Sequence, residues 1–235
     1  MEDAQKSAAL EPLFKVGAHY GYAKTRRHPS TASYILGVKN RTEIIDLEKT
    51  HSLLEAAKAF VKTLGSEGKA LLLVGGKKEA ADVVKAGAVR IGMPYVAGRW
   101  VGGTLTNFGQ IRSRVEMLLD TVGKRERGEL AKYTKKEQLL IDRDIARLEA
   151  LFRGLVGLSA LPAAVLVVDP KHEKTAIAEA KRLNISVVVL ASSDCDITGI
   201  AYPIVANDAS MGSIKYFVDA LVEAYEEGKK RVGSE

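Results

Sequence analysis

Few residues in this 235-residue chain are equipped for chemistry. His19, His28, His51 and His172 lack metal-ligand spacing, and no G-x-S-x-G elbow presents a serine nucleophile. The single cysteine, Cys195, stands between Asp194 and Asp196, whose charge raises a thiol pKa rather than lowering it. For a hard cation, the best candidates are His19, Asp194, Asp196 and Asp208, if they converge at the carboxyl ends of strands. Turn formation and loop capping by the same aspartates is the competing reading. Val74-Gly75-Gly76-Lys77-Lys78 sits where a strand meets a helix, a place where backbone N–H groups and the helix dipole suit phosphate. It is neither a P-loop nor a GxGxxG turn, and it reads either as a tight turn with exposed lysines or as one that aims Lys77 and Lys78 at a phosphate. No catalytic residue and no cofactor is assigned.

Charge is the stronger signal. Lys and Arg total 35 against 29 Asp and Glu, a net +6 with a pI of about 9.2. Residues 1–98 carry 15 basic and 10 acidic side chains, residues 99–159 carry 12 and 8, and residues 160–235 carry 8 and 11. The basic excess therefore lies in the first two-thirds. One-sided positive charge on a folded chain attracts a polyanion, above all nucleic acid, because neutralised phosphates release counterions. A solvated basic face that aids solubility is the alternative. The clusters are Lys24/Arg26/Arg27, Arg112/Arg114, Lys124/Arg125/Arg127 and Lys132/Lys135/Lys136, with only Tyr20, Tyr22 and Tyr133 interleaved. That pattern favours recognition of phosphate and shape over base stacking.

These residues need elements to hold them. Short all-apolar runs such as Leu71-Leu72-Leu73-Val74 and Val187-Val188-Val189-Leu190 alternate with helical patterns, which predicts a doubly wound α/β sandwich with a parallel sheet. The predicted strands are Glu43–Asp46, Ala70–Val74, Tyr95–Ala97, Ala164–Val168, Ser186–Leu190 and Pro203–Val205. The predicted helices are Glu48–Leu64, Lys78–Ile91, Lys174–Leu183 and Ser210–Glu227. Between Thr106 and Arg153 the period changes. Phe108, Ile111, Val115, Leu118 and Val122 form one seam, and Ile141, Ile145, Leu148 and Phe152 a second. A capping box, Thr134-Lys135-Lys136-Glu137, opens the second helix. An antiparallel coiled-coil hairpin over 106–153, inserted in an α/β domain of 1–105 and 154–235 and projecting with charged outer faces, is expected. At its root, Arg99-Trp100-Val101-Gly102-Gly103-Thr104-Leu105-Thr106-Asn107 places the sole tryptophan as a packing anchor, with stacking on a base or on Arg99 as the second choice, and Thr106 or Asn107 as helix cap. Residues 1–10 and 229–235 are expected to fray. No apolar run approaches the ~20 residues of a membrane span, and with one cysteine and no signal-like start a reducing cytosol fits best.

Several of these stretches resemble the bacterial-type small-subunit ribosomal protein S-two family. The resemblance runs through Gly17-Ala18-His19-Tyr20-Gly21, Tyr34-Ile35-Leu36-Gly37, Ile44-Ile45-Asp46-Leu47-Glu48-Lys49-Thr50, Gly92-Met93-Pro94-Tyr95-Val96, Arg99 to Asn107, Thr134 to Glu137, Val167-Val168-Asp169-Pro170 and Ser213-Ile214-Lys215. It implies a flavodoxin-like fold with a helical hairpin and a structural role on small-subunit rRNA, in the cytoplasm, beside neighbouring small-subunit proteins and, in many bacteria, the mRNA-binding protein S-one. It implies no membrane, no small-molecule substrate and no turnover. Departures from the family pattern fall at Tyr22, Arg27-His28-Pro29, Gly75-Gly76 and Ser193 to Ile197. An enzyme or binding module for a nucleotide or sugar phosphate at Gly75-Gly76 is the alternative, and a nucleic-acid chaperone or docking module the third reading.

Overall fold

A computed structural model describes residues 10–232. Five parallel strands form the central sheet: β4 (Leu71–Val74), β5 (Tyr95–Val96), β6 (Ala164–Val168), β7 (Ser186–Ala191) and β8 (Tyr202–Val205), in the spatial order β5-β4-β6-β7-β8. Counted along the sheet's own strands this is 2-1-3-4-5, the flavodoxin-like doubly wound order, whose switch point lies between β4 and β6. The all-apolar strands explain themselves in this setting. Leu71, Leu73, Leu166 and Leu190 face one core with helices α1 (Leu47–Ser66), α2 (Lys78–Ile91) and α6 (Met211–Val232). Leu72, Val74, Val165, Val167 and Val189 face a second core, which holds α5 (Lys174–Arg182) and the hairpin helices. The central strands β4, β6 and β7 are buried on both faces, at roughly 1.5–3 kcal/mol per apolar side chain removed from water.

One predicted strand belongs elsewhere. Glu43–Asp46 was expected in the parallel sheet; β3 (Thr42–Ile45) is instead the middle strand of a separate antiparallel sheet, between β1 (Tyr20–Ala23) and β2 (Ile35–Lys39). A turn of only Asn40 and Arg41, both at positive φ, joins β2 to β3, and so short a connection permits only an antiparallel pair. The helix boundaries hold more closely. Asp46 caps α1 by accepting from the N–H groups of Glu48 and Lys49, and Gly92 at φ 71° ends α2 in the left-handed conformation before Pro94. Helix α6 reaches Val232, so residues 229–232, expected to fray, are helical; residues 1–9 and 233–235 lie outside the described residues.

Helices α3 (Phe108–Glu126) and α4 (Lys135–Phe152) are joined by a short 3-10 turn, Glu129–Lys132. Ile111, Val115 and Leu118 are buried with Ile145 and Phe152, and Val122, Ile141 and Leu148 pack against them. Thr134 and Glu137 make the reciprocal capping box. The outer faces are less charged than expected: Met117, Leu119, Leu139 and Leu140 are exposed there.

Candidate nucleic-acid interface

In an open α/β sheet the crevice at the switch point is the usual ligand site. In this chain it is closed by the chain's own charges. The Gly76 N–H donates to Glu173 Oε1 at 3.0 Å, and a side chain at Gly76 would strike the Gly98 carbonyl oxygen at 2.4 Å. Lys77 turns inward, with Nζ 3.2 Å from Asp169 Oδ2, 3.1 Å from the Asp208 carbonyl oxygen and 3.7 Å from Asp208 Oδ1. Burial alone would lower its pKa, but the Asp208 and Asp169 carboxylates outweigh that and raise it. Burial, reinforced by Asp169, pushes Asp208 up to about 7. Cys195 completes the group, its Sγ 3.9 Å from Asp208 Oδ2; burial, then Asp208, Asp169 and Asp194, raise the thiol far above its ordinary value. Asp169, Cys195 and Asp208 form a constellation that could hold a cation, and an ammonium already sits against it.

The expected metal set does not assemble as a whole. Asp208 belongs to this cluster; Asp194 adjoins it, with Oδ1 3.6 Å from Cys195 Sγ, while its Oδ2 accepts from Lys171 Nζ at 2.6 Å. His19 instead stacks on Phe14, ring centroids 4.5 Å apart, and lies 4.0 Å from the Tyr20 ring, with its pKa lowered by burial. Asp196 points to solvent, accepting from the Thr198 N–H and lying 3.7 Å from His28 Nδ1. Asp169, which no spacing signal marked, supplies the missing carboxylate from the β6–α5 loop.

The Arg99–Asn107 loop is organised by a second residue that sequence reasoning missed. Glu179 on α5 is 7% exposed, and its carboxylate accepts from Trp100 Nε1, from the N–H groups of Gly103, Leu105 and Thr106, and from Thr106 Oγ1, at 2.8–3.2 Å. Trp100 is therefore buried and anchored. Thr106 serves Glu179 rather than capping α3, and Asn107 makes no side-chain cap either. Arg112 is likewise drawn into the root of the hairpin, where Nη1 donates to the Leu158 carbonyl oxygen at 3.0 Å. Across seventy-odd residues of separation no local pattern could have announced the Trp100–Glu179 pairing.

The remaining cations divide into three groups. Arg27 faces the buried Glu43 at 3.4 Å, Lys124 pairs with Asp120, Arg125 with Asp142 and Arg127 with Glu129. Arg26 lies over the Tyr22 ring and Lys132 over Tyr133. Lys24, Lys78, Arg99, Arg114, Lys135 and Lys136 are exposed and carry no ion pair or side-chain hydrogen bond among the described residues. Lys135 and Lys136 stand at the hairpin's far end, on the first turn of α4.

Comparison with known proteins decides the family. The family model described as ribosomal protein S2 matches residues 13–228. The chain belongs to the ribosomal protein S2 family. Among its relatives, the small ribosomal subunit protein uS2 of Coprothermobacter proteolyticus is 38% identical over 94% of this chain and 82% of that protein. That of Chloroflexus aurantiacus is 38% identical over 94% and 93%, and that of Mesoplasma florum 40% identical over 96% and 85%. The S2 family is one of small-subunit ribosomal constituents and not of enzymes, which agrees with a switch-point crevice filled by Lys77 and Glu173. No helix among the described residues is long and apolar enough to cross a membrane.

Proposed function

We propose that this chain is a cytoplasmic structural constituent of the small ribosomal subunit that binds small-subunit rRNA through the basic amino-terminal loop and the helical hairpin, thereby supporting translation. The observation that carries the reading is the set of exposed, unpaired cations at Lys24, Lys78, Arg99, Arg114, Lys135 and Lys136, in a chain whose crevice for small ligands is closed from within. Such cations lose no internal partner when a phosphate approaches, so counterion release drives association. Residues 106–153 act as an inserted arm on the 1–105 and 154–235 body, its coiled-coil seam keeping the basic tip at a distance. Lys77 and Arg112 hold the structure together and leave the RNA contacts to their neighbours. The other small-subunit proteins, S-one among them, are partners of the surface that RNA leaves free.

The test is sedimentation. The chain should travel with small subunits on a sucrose gradient and leave them as salt rises; a chain that stays at the top of the gradient in low salt defeats the proposal. A panel of nucleotides and sugar phosphates should leave its melting unchanged, whereas a true ligand at 100 times its Kd would add about 2.7 kcal/mol of stability.

A further inference from the structure

The last third of the chain, residues 160–235, is net acidic in sequence, yet several of its acids are engaged by partners within the fold. Asp169 and Asp208 face Lys77, Glu179 holds the Trp100 loop, Asp194 pairs with Lys171, and Glu226 pairs with Arg90. What this segment shows to solvent around α5 is basic. A cleft of about 540 Å³ opens there, lined by Lys171, Lys174 and Lys181 on one side and by His28 on the other, with Pro170, Ile177 and Ala178 as its apolar wall. Two carboxylates also line it. Asp194 is neutralised by Lys171 at 2.6 Å, and Asp196 accepts from the Thr198 N–H within reach of the Lys181 charge.

The amino-terminal basic loop is fixed at the mouth of this cleft by Ser193 and by the residues just after it. Ser193, just past β7, receives the Tyr22 N–H on its Oγ at 2.9 Å, and its carbonyl oxygen accepts from the His28 N–H at 2.9 Å and from Thr31 Oγ1 at 2.7 Å. Ser30 Oγ in turn accepts from the Ile197 N–H at 3.2 Å. Arg26 lies on this same loop, two residues before His28, which lines the cleft. Arg26 and Lys174 have no carboxylate partner among the described residues.

We infer that this cleft between the amino-terminal loop and α5 seats a phosphodiester segment of the bound RNA, with Lys174 and Arg26 holding the phosphate and the Pro170–Ile177–Ala178 wall taking the flanking nucleoside. The inference rests on the rRNA-binding reading and adds a body-side contact to the hairpin. An open cleft with cations at its rim and an apolar wall suits an extended single strand, which needs charge for its backbone and a dry surface for its bases.

The probe is small-subunit rRNA transcribed in vitro with 4-thiouridine. Irradiation should cross-link it to peptides spanning residues 171–181. In filter binding across a salt series, Lys174→Gln and Arg26→Gln should each lower the slope of log K against log salt by about 0.7–0.9, while Lys229→Gln, at the opposite end of the strands, leaves it unchanged. Unchanged slopes for both cleft variants, with the unmodified chain binding normally, overturn the inference alone. Uridine monophosphate that stabilises the chain through Lys174, with the rRNA slope unmoved, assigns the cleft to a small ligand and also overturns it. An unmodified chain that fails to bind the rRNA brings down the parent reading, and this one with it.

Discussion

Trp100 Nε1 donates to Glu179 Oε1 at 3.1 Å, and the same carboxylate collects three further backbone N–H groups from the loop that launches the hairpin. A single acid thus ties the arm to α5. Removing it leaves several buried donors without a partner, so Glu179→Ala should cost at least about 3 kcal/mol and Glu179→Gln about 1–3 kcal/mol in urea unfolding. Burial would raise this carboxyl, but the Trp100, Gly103, Thr106 and Leu105 hydrogen bonds prevail and lower it. A folded value below the unfolded one gives stability that is present above about pH 4.3 and is lost as pH falls through the folded value. The gap between the unmodified chain and Glu179→Gln should therefore narrow in acid, and a constant gap would refute the assignment.

Asp208 carries the opposite sign. Its folded value of about 7 lies above the unfolded value near 3.9, so between those limits the folded chain keeps a proton that the unfolded chain has released. Its contribution is greatest below about pH 4 and declines as pH rises to about 7. Lys77 stays charged throughout that window and does not confuse the comparison. The stability of the unmodified chain relative to Asp208→Asn should fall from pH 4.5 to 7.5, at no more than about 1.4 kcal/mol per pH unit. Thermal unfolding at several pH values reads this directly.

On the hairpin, the ion pairs rank the cations. Arg125 and Arg127 are shared with Asp142 and Glu129, whereas Lys135 and Lys136 are unshared. Charge reversal of the two lysines should weaken rRNA binding more than reversal of the two arginines, as measured by the salt slope. Because both lysines sit on the first turn of α4, Lys135→Glu and Lys136→Glu should also raise thermal stability slightly, by about 0.3–1 kcal/mol each, through the helix dipole. A loss of stability alongside the loss of binding would point to damage instead.

Where α1 crosses α6, two glycines allow backbone contact. A Cβ at Gly228 would lie 2.1 Å from the Lys62 carbonyl oxygen, and one at Gly65 would lie 2.3 Å from that of Tyr225. Gly228→Ala gains up to about 1 kcal/mol of helix propensity but forces the helices apart, for a net loss of about 2 kcal/mol. Gly109→Ala in α3 meets nothing within 4 Å and should be neutral or stabilising. Midpoints of urea unfolding distinguish the two.

The parallel sheet was legible because burial on both faces leaves a run such as Val187-Val188-Val189-Leu190 with no polar position to break it. Helix α3 was legible because Ile111, Val115 and Leu118 repeat at the helical period. Strands β1 and β2 were not: Tyr20-Gly21-Tyr22-Ala23 and Ile35-Leu36-Gly37-Val38-Lys39 include glycine and face water, and they are strands only because Glu43 and its neighbours pair with them. The inward turn of Lys77 was hidden for a related reason. A lysine after Gly-Gly looks exposed until Asp169 and Asp208, some 90 and 130 residues on, arrive beside it.

Ser193 joins the amino-terminal loop to a point 171 residues away from Tyr22 and 162 from Thr31. During synthesis, the Tyr22–Thr31 loop therefore lacks its Ser193 anchor until β7 and the turn after it have emerged. Contacts of such long range form late in folding. Before residue 193 is made, β1 can already pair with β3, but the loop that follows β1 has no anchor on the sheet, so the face it shares with α5 is assembled after both of its neighbours exist.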